Sequence, residues 1–496
     1  MHHKQQGNDI FMYYKKYTIM KPKKTFNYYL LAVRLILPYF FIFINVTVLH
    51  AQPNKKISQW MTDPGKSVFF EEQPTLSFTK NNVGIKDSIV INDKERFQTI
   101  DGFGFCLTGG SASNIIKMNV TSRAALLKEL FASDKKNIGA SYLRVSIGAS
   151  DLNETVFSYD DLPAGQTDVN LKKFDLGPDK KDVIPVLREI LKINPAIKIL
   201  GSPWSAPVWM KDNNDTRGGS LKPEYYAAYA NYFVRYIQEM KKQGIVIDAI
   251  TVQNEPLHPG NNPSMLMLAP DQANFVKNNL GPAFAKAKIK TKIIIYDHNA
   301  DKPEYPISIL NDPKAKKYIN GSAFHFYGGK IEALSTVHAA HPDKNLYFTE
   351  QWVGAPGNFE RDIREHIENL IVGATRNWCK TVIEWNLASD EFYKPHTDRG
   401  GCDQCLGAVT IFKDSFNRNP AYYIIAHAAK YVRPGSVRIY SNVIDRLSNV
   451  AFKTPQGKFV LIVLNTSSYA KEFKVKNKEN IFTASLAAGA TATYTW

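Results

Sequence analysis

Between residues 99 and 432 the chain alternates short, β-rich apolar runs with longer stretches whose apolar residues recur at helical spacing. The runs are Thr99–Leu107, Tyr142–Ile147, Ile197–Ser202, Ala249–Asn254, Lys292–Asp297, Ser322–Tyr327, Asn345–Thr349 and Thr381–Asn386. The amphipathic stretches include Arg123–Phe131, Val183–Ile193, Pro223–Gln243, Asp271–Lys288, Glu360–Asn377 and Pro420–Val432. Pro223 suits a first helical turn. Eight strands with helices between them is the count for a (β/α)8 barrel. After Gly435 the pattern changes to short strands separated by turn signals such as Pro455-Gln456-Gly457. They are Val437–Ser441, Val450–Lys453, Phe459–Asn465, Glu472–Lys476, Ile481–Ser485 and Thr491–Trp496. This β unit is too small to cover its own apolar faces. Strand-like pieces at Ser67–Glu71 and Ser88–Asn92 can complete it. The expected fold is α/β: a (β/α)8 TIM barrel with an accessory β-sandwich built from both chain ends. The expected divisions are 1–51 as signal peptide, 52–95 and 435–496 as the two parts of the sandwich, and 96–434 as the barrel.

The first fifty residues read as an address. Lys21, Lys23 and Lys24 precede the apolar run Leu35–Leu49, and Ala51 offers a small residue for cleavage. A basic segment, an apolar segment and a small residue at the cut describe a secretory signal. The competing reading is an uncleaved anchor, since Tyr28–Leu49 is long enough to span a bilayer. Arg34, Pro38 and Asn45 weaken that reading. Either way the folded part is expected outside the cytosol, periplasmic or extracellular, with no stable membrane insertion once the signal is cut.

Composition narrows the class. Hydrophobic residues at 44% and charged residues at 22% are ordinary globular usage and exclude a disordered or fibrous chain. The formal charge is +16, but residues 1–51 hold seven basic side chains against Asp9 alone. The remaining excess is scattered, with no basic block, so a nucleic-acid partner is not indicated. Four cysteines exclude a disulfide scaffold. Gly102-Phe103-Gly104 lacks the third glycine of a phosphate cradle and reads as a strand end.

Barrel enzymes carry their chemistry at the C-terminal ends of the strands. Strand four runs out into Asn254-Glu255-Pro256 and strand seven into Thr349-Glu350-Gln351-Trp352. These strands face each other across a barrel, so both glutamates can reach one cavity. Paired carboxylates flanking a scissile bond are what glycoside hydrolysis requires: one protonated, one ionised. Trp204 and Trp209 after strand three, Tyr327 after strand six and Trp385 after strand eight supply the flat faces that suit a sugar. His325 is open between a satisfied structural histidine and a wall of the site.

The pieces IDGFGFCLTGGSAS (Ile100–Ser113), LRVSIGASD (Leu143–Asp151), SPWSAPVWMK (Ser202–Lys211), TVQNEP (Thr251–Pro256), HFYGG (His325–Gly329), FTEQW (Phe348–Trp352) and EWNLASD (Glu384–Asp390) fall in order along the barrel. As a set the sequence resembles glycoside hydrolase family 30, the glucosylceramidase-like retaining β-glycosidases. The resemblance implies Glu255 as acid/base and Glu350 as nucleophile. It implies substrate-binding roles for Asp151, Trp204, Asn254 and Trp385, and places Arg144 and Tyr327 against the nucleophile. A cation and a phenol there would keep Glu350 ionised, while Glu255, facing another carboxylate, would have its pKa raised. No cofactor or metal is implied. The implied substrate is a β-linked glucoside, glycolipid or glucan. A glucosylceramidase-like β-glucosidase is the leading expectation, and a β-1,6-glucanase or β-xylosidase-type member is the alternative. The sequence departs from the glucosylceramidase pattern after strand eight, at Gly400-Gly401-Cys402-Asp403-Gln404-Cys405. The insert Leu257–Met265 is similar to the β-1,6-glucanase branch. Cys402 and Cys405 could form a local disulfide, stay as thiols or hold a metal. A rival of another class is a non-catalytic carbohydrate-binding envelope protein on the same scaffold.

Overall fold

A computed structural model describes residues 56–79 and 84–496 of the chain. The expected signal segment, 1–51, lies outside the described residues. Eight parallel strands close into a barrel. In chain order they are Gly102–Leu107, Tyr142–Ser146, Lys198–Ser202, Ala249–Thr251, Lys292–Ala300, Ile319–Gly329, Asn345–Glu350 and Cys379–Glu384, called barrel strands one to eight below. Strand eight pairs with strand one through Val382 and Phe103, which closes the ring. Inside it, Tyr142, Leu200, Ala249, Ile294, Ala323, Tyr347 and Ile383 pack as one buried cluster. The barrel is thus a filled core whose chemistry must sit at a rim.

The ranges differ from the sequence reading in physically readable ways. The chain breaks between Thr99 and Gly102, so the expected first strand divides. Its beginning belongs to Ser88–Thr99, which runs past the boundary expected after residue 95. The expected helices Asp271–Lys288 and Glu360–Asn377 each pass through a π-helical segment, Val276–Leu280 and Ile367–Ala374. A helix at Gly109–Lys117 escaped the pattern, because its first turn is glycine and serine. Thr108 caps it, its side chain accepting from the Ser111 amide.

The remaining large sheet has nine strands and draws on both chain ends. Lys56–Asp63 lies between Val68–Ser77 and Thr491–Thr495, antiparallel to both. Ser88–Thr99 lies between Val437–Ser441 and Lys471–Asn477. The sheet folds over itself: Phe482 sits 5.7 Å from Tyr494 and 5.4 Å from Trp496, ring to ring. The seam with the barrel is polar as well as aromatic. His427, on the last barrel helix Pro420–Ala429, is fully buried. Its ring nitrogens lie 2.9 Å from Thr62 Oγ1 and 3.0 Å from Thr493 Oγ1, one partner from each chain end. Deleting residues 52–94 removes two strands and most of a third, and strips Lys471–Asn477 of one of its two neighbours. We expect insoluble protein from that deletion, although none of those residues carries chemistry. A soluble, fully active truncation in an expression and activity assay would refute this.

Candidate active site

Glu350 is the last residue of barrel strand seven. Glu255 follows strand four and adopts a φ of +45°. Such left-handed backbone is uncommon for a residue with a side chain and recurs where a functional group is held in place. Arg144 on strand two, which is completely buried, holds Glu350 and the residue before Glu255. Arg144 Nη1 donates to Glu350 Oε2 at 2.5 Å. Its Nη2 donates to Asn254 Oδ1 at 2.7 Å and Asp297 Oδ2 at 2.8 Å. The Tyr327 hydroxyl donates to the other Glu350 oxygen at 2.9 Å. Both oxygens of Glu350 therefore accept from a donor, one of them cationic, which favours the ionised form.

Behind them lies Asp297, at a bend in strand five where Tyr296 and Asp297 both have positive φ. Asp297 accepts from Arg144, Ser202, Thr251 and Thr349. Its Oδ1 also lies 3.1 Å from His325 Nε2. The opposite nitrogen of that ring, Nδ1, lies 3.3 Å from Glu255 Oε1 and 3.7 Å from Glu350 Oε1. One imidazole nitrogen thus touches both glutamates.

This histidine reverses an expectation. From sequence, Glu255 was to be pushed up by the facing carboxylate. Burial does act in that direction, but the hydrogen bond and charge of His325, with His298 and His258, outweigh it and hold Glu255 below its ordinary value. Burial raises Glu350, with His325 and Arg144 opposing and Glu255 and Asp297 adding to the rise. Burial also disfavours charge on His325, yet Glu350, Asp297 and Glu255 lift it to about 9. The two shifts draw a proton across the His325–Glu255 contact toward the histidine. Burial, then Glu350 and Glu255, push Asp151 up to about 8. Its buried Oδ1 has no partner within the protein.

A cavity of about 340 Å³ opens over these groups. Among the expected site residues, Asp151, Trp204, Glu255, Tyr327, Glu350, Trp385, Cys402 and Cys405 line it. Arg144, Asn254 and His325 are not part of its lining. Arg144 and His325 are wholly buried beneath the carboxylates, and Asn254 is nearly so. Trp204 and Trp385 stack at 5.4 Å on one side, and Arg144 Cζ lies 4.8 Å from the Trp204 ring centre. Cys402 and Cys405 are disulfide-bonded. The strand Cys405–Leu406 pairs with Val353–Gly354, which ties the loops after strands seven and eight together at the rim.

Sequence reasoning missed His258, Asn261, His298, Asn299 and Trp352, which complete the lining. It also missed Asp297. The last was legible as the acidic end of the apolar run Lys292–Asp297, the same signal that marked Glu255 and Glu350. The rim itself is held by polar contacts between loops far apart in sequence. Asn262 Nδ2 donates to Asp398 Oδ1 at 3.0 Å, and Arg399 Nη2 donates to Asp215 Oδ1 at 2.9 Å. Gly400, at a φ of +136°, comes so close that a Cβ there would meet the Gly260 carbonyl at 2.5 Å. Among the described residues, Glu255, His298 and His325 also place three potential metal-ligand atoms within 4.8 Å of one another.

Two family sequence profiles match the chain, in the order the fold shows. The glycosyl hydrolase family 30 TIM-barrel domain matches residues 100–432, and the family 30 beta sandwich domain matches residues 435–494. The chain belongs to glycosyl hydrolase family 30. This family 30 chain is 36% identical over 357 residues to an endo-1,6-beta-D-glucanase of Neurospora crassa, covering 69% of this chain and 72% of the relative. It is 29% identical over 446 residues to the lysosomal acid glucosylceramidase of Mus musculus, covering 84% of each. A solved endo-beta1,6-glucanase structure superposes with a TM-score of 0.83 at 34% identity, covering 89% of this chain and 99% of that one. The family 30 protein is a glycosyl hydrolase, and its substrates are glycans.

Proposed function

We propose that this family 30 hydrolase cleaves β-1,6-linked glucan by double displacement, with Glu350 as nucleophile and Glu255 as acid/base. The glucosylceramidase-like reading gives way to its alternative. Relatives named as endo-1,6-β-glucanases are 36% and 34% identical to the chain, against 29% for the glucosylceramidase of comparable coverage. The observation that carries the choice is the wall beside Glu255. A leaving group must lie against the acid that protonates it, and here the cavity is lined by His258, Asn261, His298 and Asn299. Asn261 Nδ2 donates to Glu255 Oε2 at 3.2 Å. Imidazoles and amides pair with the hydroxyls of a second sugar, whereas a lipid aglycone would leave them unpaired at a cost of about 1–3 kcal/mol each.

The chemistry follows from the contacts. Glu350 attacks the anomeric carbon while the glycosidic bond breaks. The departing oxygen takes a proton from Glu255, to which His325 can pass its own proton across the 3.3 Å contact. Esterification removes the charge of Glu350. Glu255 then takes a proton from water as that water attacks the glycosyl ester, which releases the sugar and restores Glu350. Tyr327 and Arg144 hold Glu350 in place through both half-reactions.

The glycone is read by Trp204, Trp385 and Asp151. A hydrogen bond to a neutral carboxyl group is worth about 0.5–1.5 kcal/mol, and Asp151 can hold two sugar hydroxyls. Asp151→Ala should therefore lower kcat/KM on an aryl β-glucoside by roughly ten- to a hundredfold. We expect the wild type to cleave that substrate faster than the aryl β-xyloside and the variant to lose the difference; a variant that keeps it would remove Asp151 from this role.

The substrate reading is tested by initial rates on β-1,6-glucan, glucosylceramide in mixed micelles and xylan. We expect kcat/KM on β-1,6-glucan to lead by at least about tenfold, the effect of one lost polar pairing. Equal or faster cleavage of glucosylceramide would refute it. Action outside the cytosol fits a polymer substrate and a disulfide at the rim. Among the described residues no helix is long and apolar enough to cross a membrane.

A further inference from the structure

The wall of the cavity beside Glu255 holds one ring nitrogen with no partner in the protein. His298, on barrel strand five, has a side chain 9% exposed, and its Nδ1 has no hydrogen-bond partner. That nitrogen lies 3.8 Å from Glu255 Oε1, too far for a hydrogen bond. His325, on the next strand, points its own Nδ1 at the same oxygen from 3.3 Å. All three atoms lie within 4.8 Å of one another, one from the loop after strand four and two from strands five and six.

The far side of His325 sharpens the picture. Its Nε2 faces Asp297 Oδ1 at 3.1 Å. Asp297 is surrounded by donors: Arg144, Ser202 and Thr251 donate to its Oδ2, and Thr349 to its Oδ1. A carboxylate at one imidazole nitrogen keeps a proton there, so loss of the proton on the other nitrogen frees that lone pair for a metal. This is the outer partner that metal-binding histidines carry. Two imidazoles and one carboxylate, with the fourth side open to a cavity, make the donor set of an open tetrahedral zinc site. Small side-chain rotations would bring the three donors to bond lengths of about 2.0–2.2 Å. With two nitrogens to one oxygen, the set suits zinc, cobalt, nickel or copper and disfavours calcium and magnesium, which require mainly oxygen.

We infer that Glu255, His298 and His325 bind a divalent transition-metal cation of the zinc type, and that the bound cation switches the hydrolase off. The cation occupies the Glu255 oxygen that must carry the proton and the His325 nitrogen that supplies it, and the displaced proton passes to solvent. The inhibitory half rests on the assignment of Glu255 as acid/base; the binding half does not.

The test uses the full chain and Zn²⁺, with Co²⁺ as a spectroscopic probe. Calorimetric titration should show one Zn²⁺ bound per chain beyond any bound by a His298→Asn variant. Co²⁺ should give the intense visible bands of tetrahedral coordination. His298→Asn and His298→Gln should each weaken Zn²⁺ binding and the inhibition of glucan hydrolysis by at least about tenfold, each measured against the variant's own uninhibited rate. Mg²⁺ and Ca²⁺ should leave the rate unchanged, and a chelator should reverse the effect of Zn²⁺. A wild-type chain that hydrolyses glucan but shows no such Zn²⁺ binding and no tetrahedral Co²⁺ bands would overturn the inference and leave the proposed function standing. Both variants binding Zn²⁺ as tightly as wild type would also overturn it. Zn²⁺ bound at this site in a chain without glycosidase activity would instead overturn the functional reading and uphold the site.

Discussion

Replacing Glu350 by Gln is expected to abolish hydrolysis of every substrate, with kcat falling on the order of 10⁴-fold or more. The amide keeps the shape and can still meet Tyr327, but it cannot form the glycosyl ester. It also presents an NH₂ group or a weaker acceptor to Arg144, whose Nη1 now donates to Glu350 Oε2 at 2.5 Å. The loss should not depend on the leaving group, because no leaving group substitutes for the missing nucleophile. Folding should survive, since Arg144 retains Asp297 and Asn254 as partners. The check is kcat on aryl β-glucosides of graded leaving-group acidity, together with a melting curve. Residual activity within about tenfold of wild type would remove Glu350 from the nucleophile role.

Glu255→Ala is expected to behave differently, and the difference separates the two roles. General acid catalysis contributes about 10²–10⁴-fold. That contribution is needed in full for a sugar leaving group and hardly at all for an activated phenol. The variant should therefore lose roughly 10²–10⁴ on β-1,6-glucan and far less on a dinitrophenyl β-glucoside, where the glycosyl ester at Glu350 then accumulates. With the Glu255 carboxylate gone, a small anion such as azide can approach that ester. External azide should speed turnover and yield the β-glycosyl azide. The same addition should do nothing for Glu350→Gln. Equal losses on both leaving groups, or no response to azide, would show that the proton comes from elsewhere.

The parts of this account that the sequence revealed share one physical signature. Strands buried on both faces read as continuous apolar runs, so Ala249–Thr251 and Asn345–Glu350 could be seen, and with them the glutamates at their ends. Where the pattern is weaker, the reading failed. Lys56–Asp63 carries five polar residues in eight and was not read as a strand, yet it joins the sandwich to the last strand of the chain. Asp297 was visible as a strand end, but its importance comes from partners on strands two, three, four, six and seven, and no local pattern encodes that convergence. The sign of the Glu255 shift was misread for the same reason. Two glutamates can be seen in a sequence, whereas a histidine touching both cannot. The rim loops are further from reach still, because contacts such as Asn262 with Asp398 and Arg399 with Asp215 set their shape.

The central claim is a double displacement on a β-1,6-linked glucan through Glu350. Proton NMR of the reducing end released from a β-1,6-gluco-oligosaccharide, followed from the first seconds, tests it most directly. Two inversions at one carbon return the starting configuration, so the β-anomer should appear first and the α-anomer only later, at the rate of spontaneous mutarotation. Initial release of the α-anomer, or no cleavage of the oligosaccharide at all, would contradict the account.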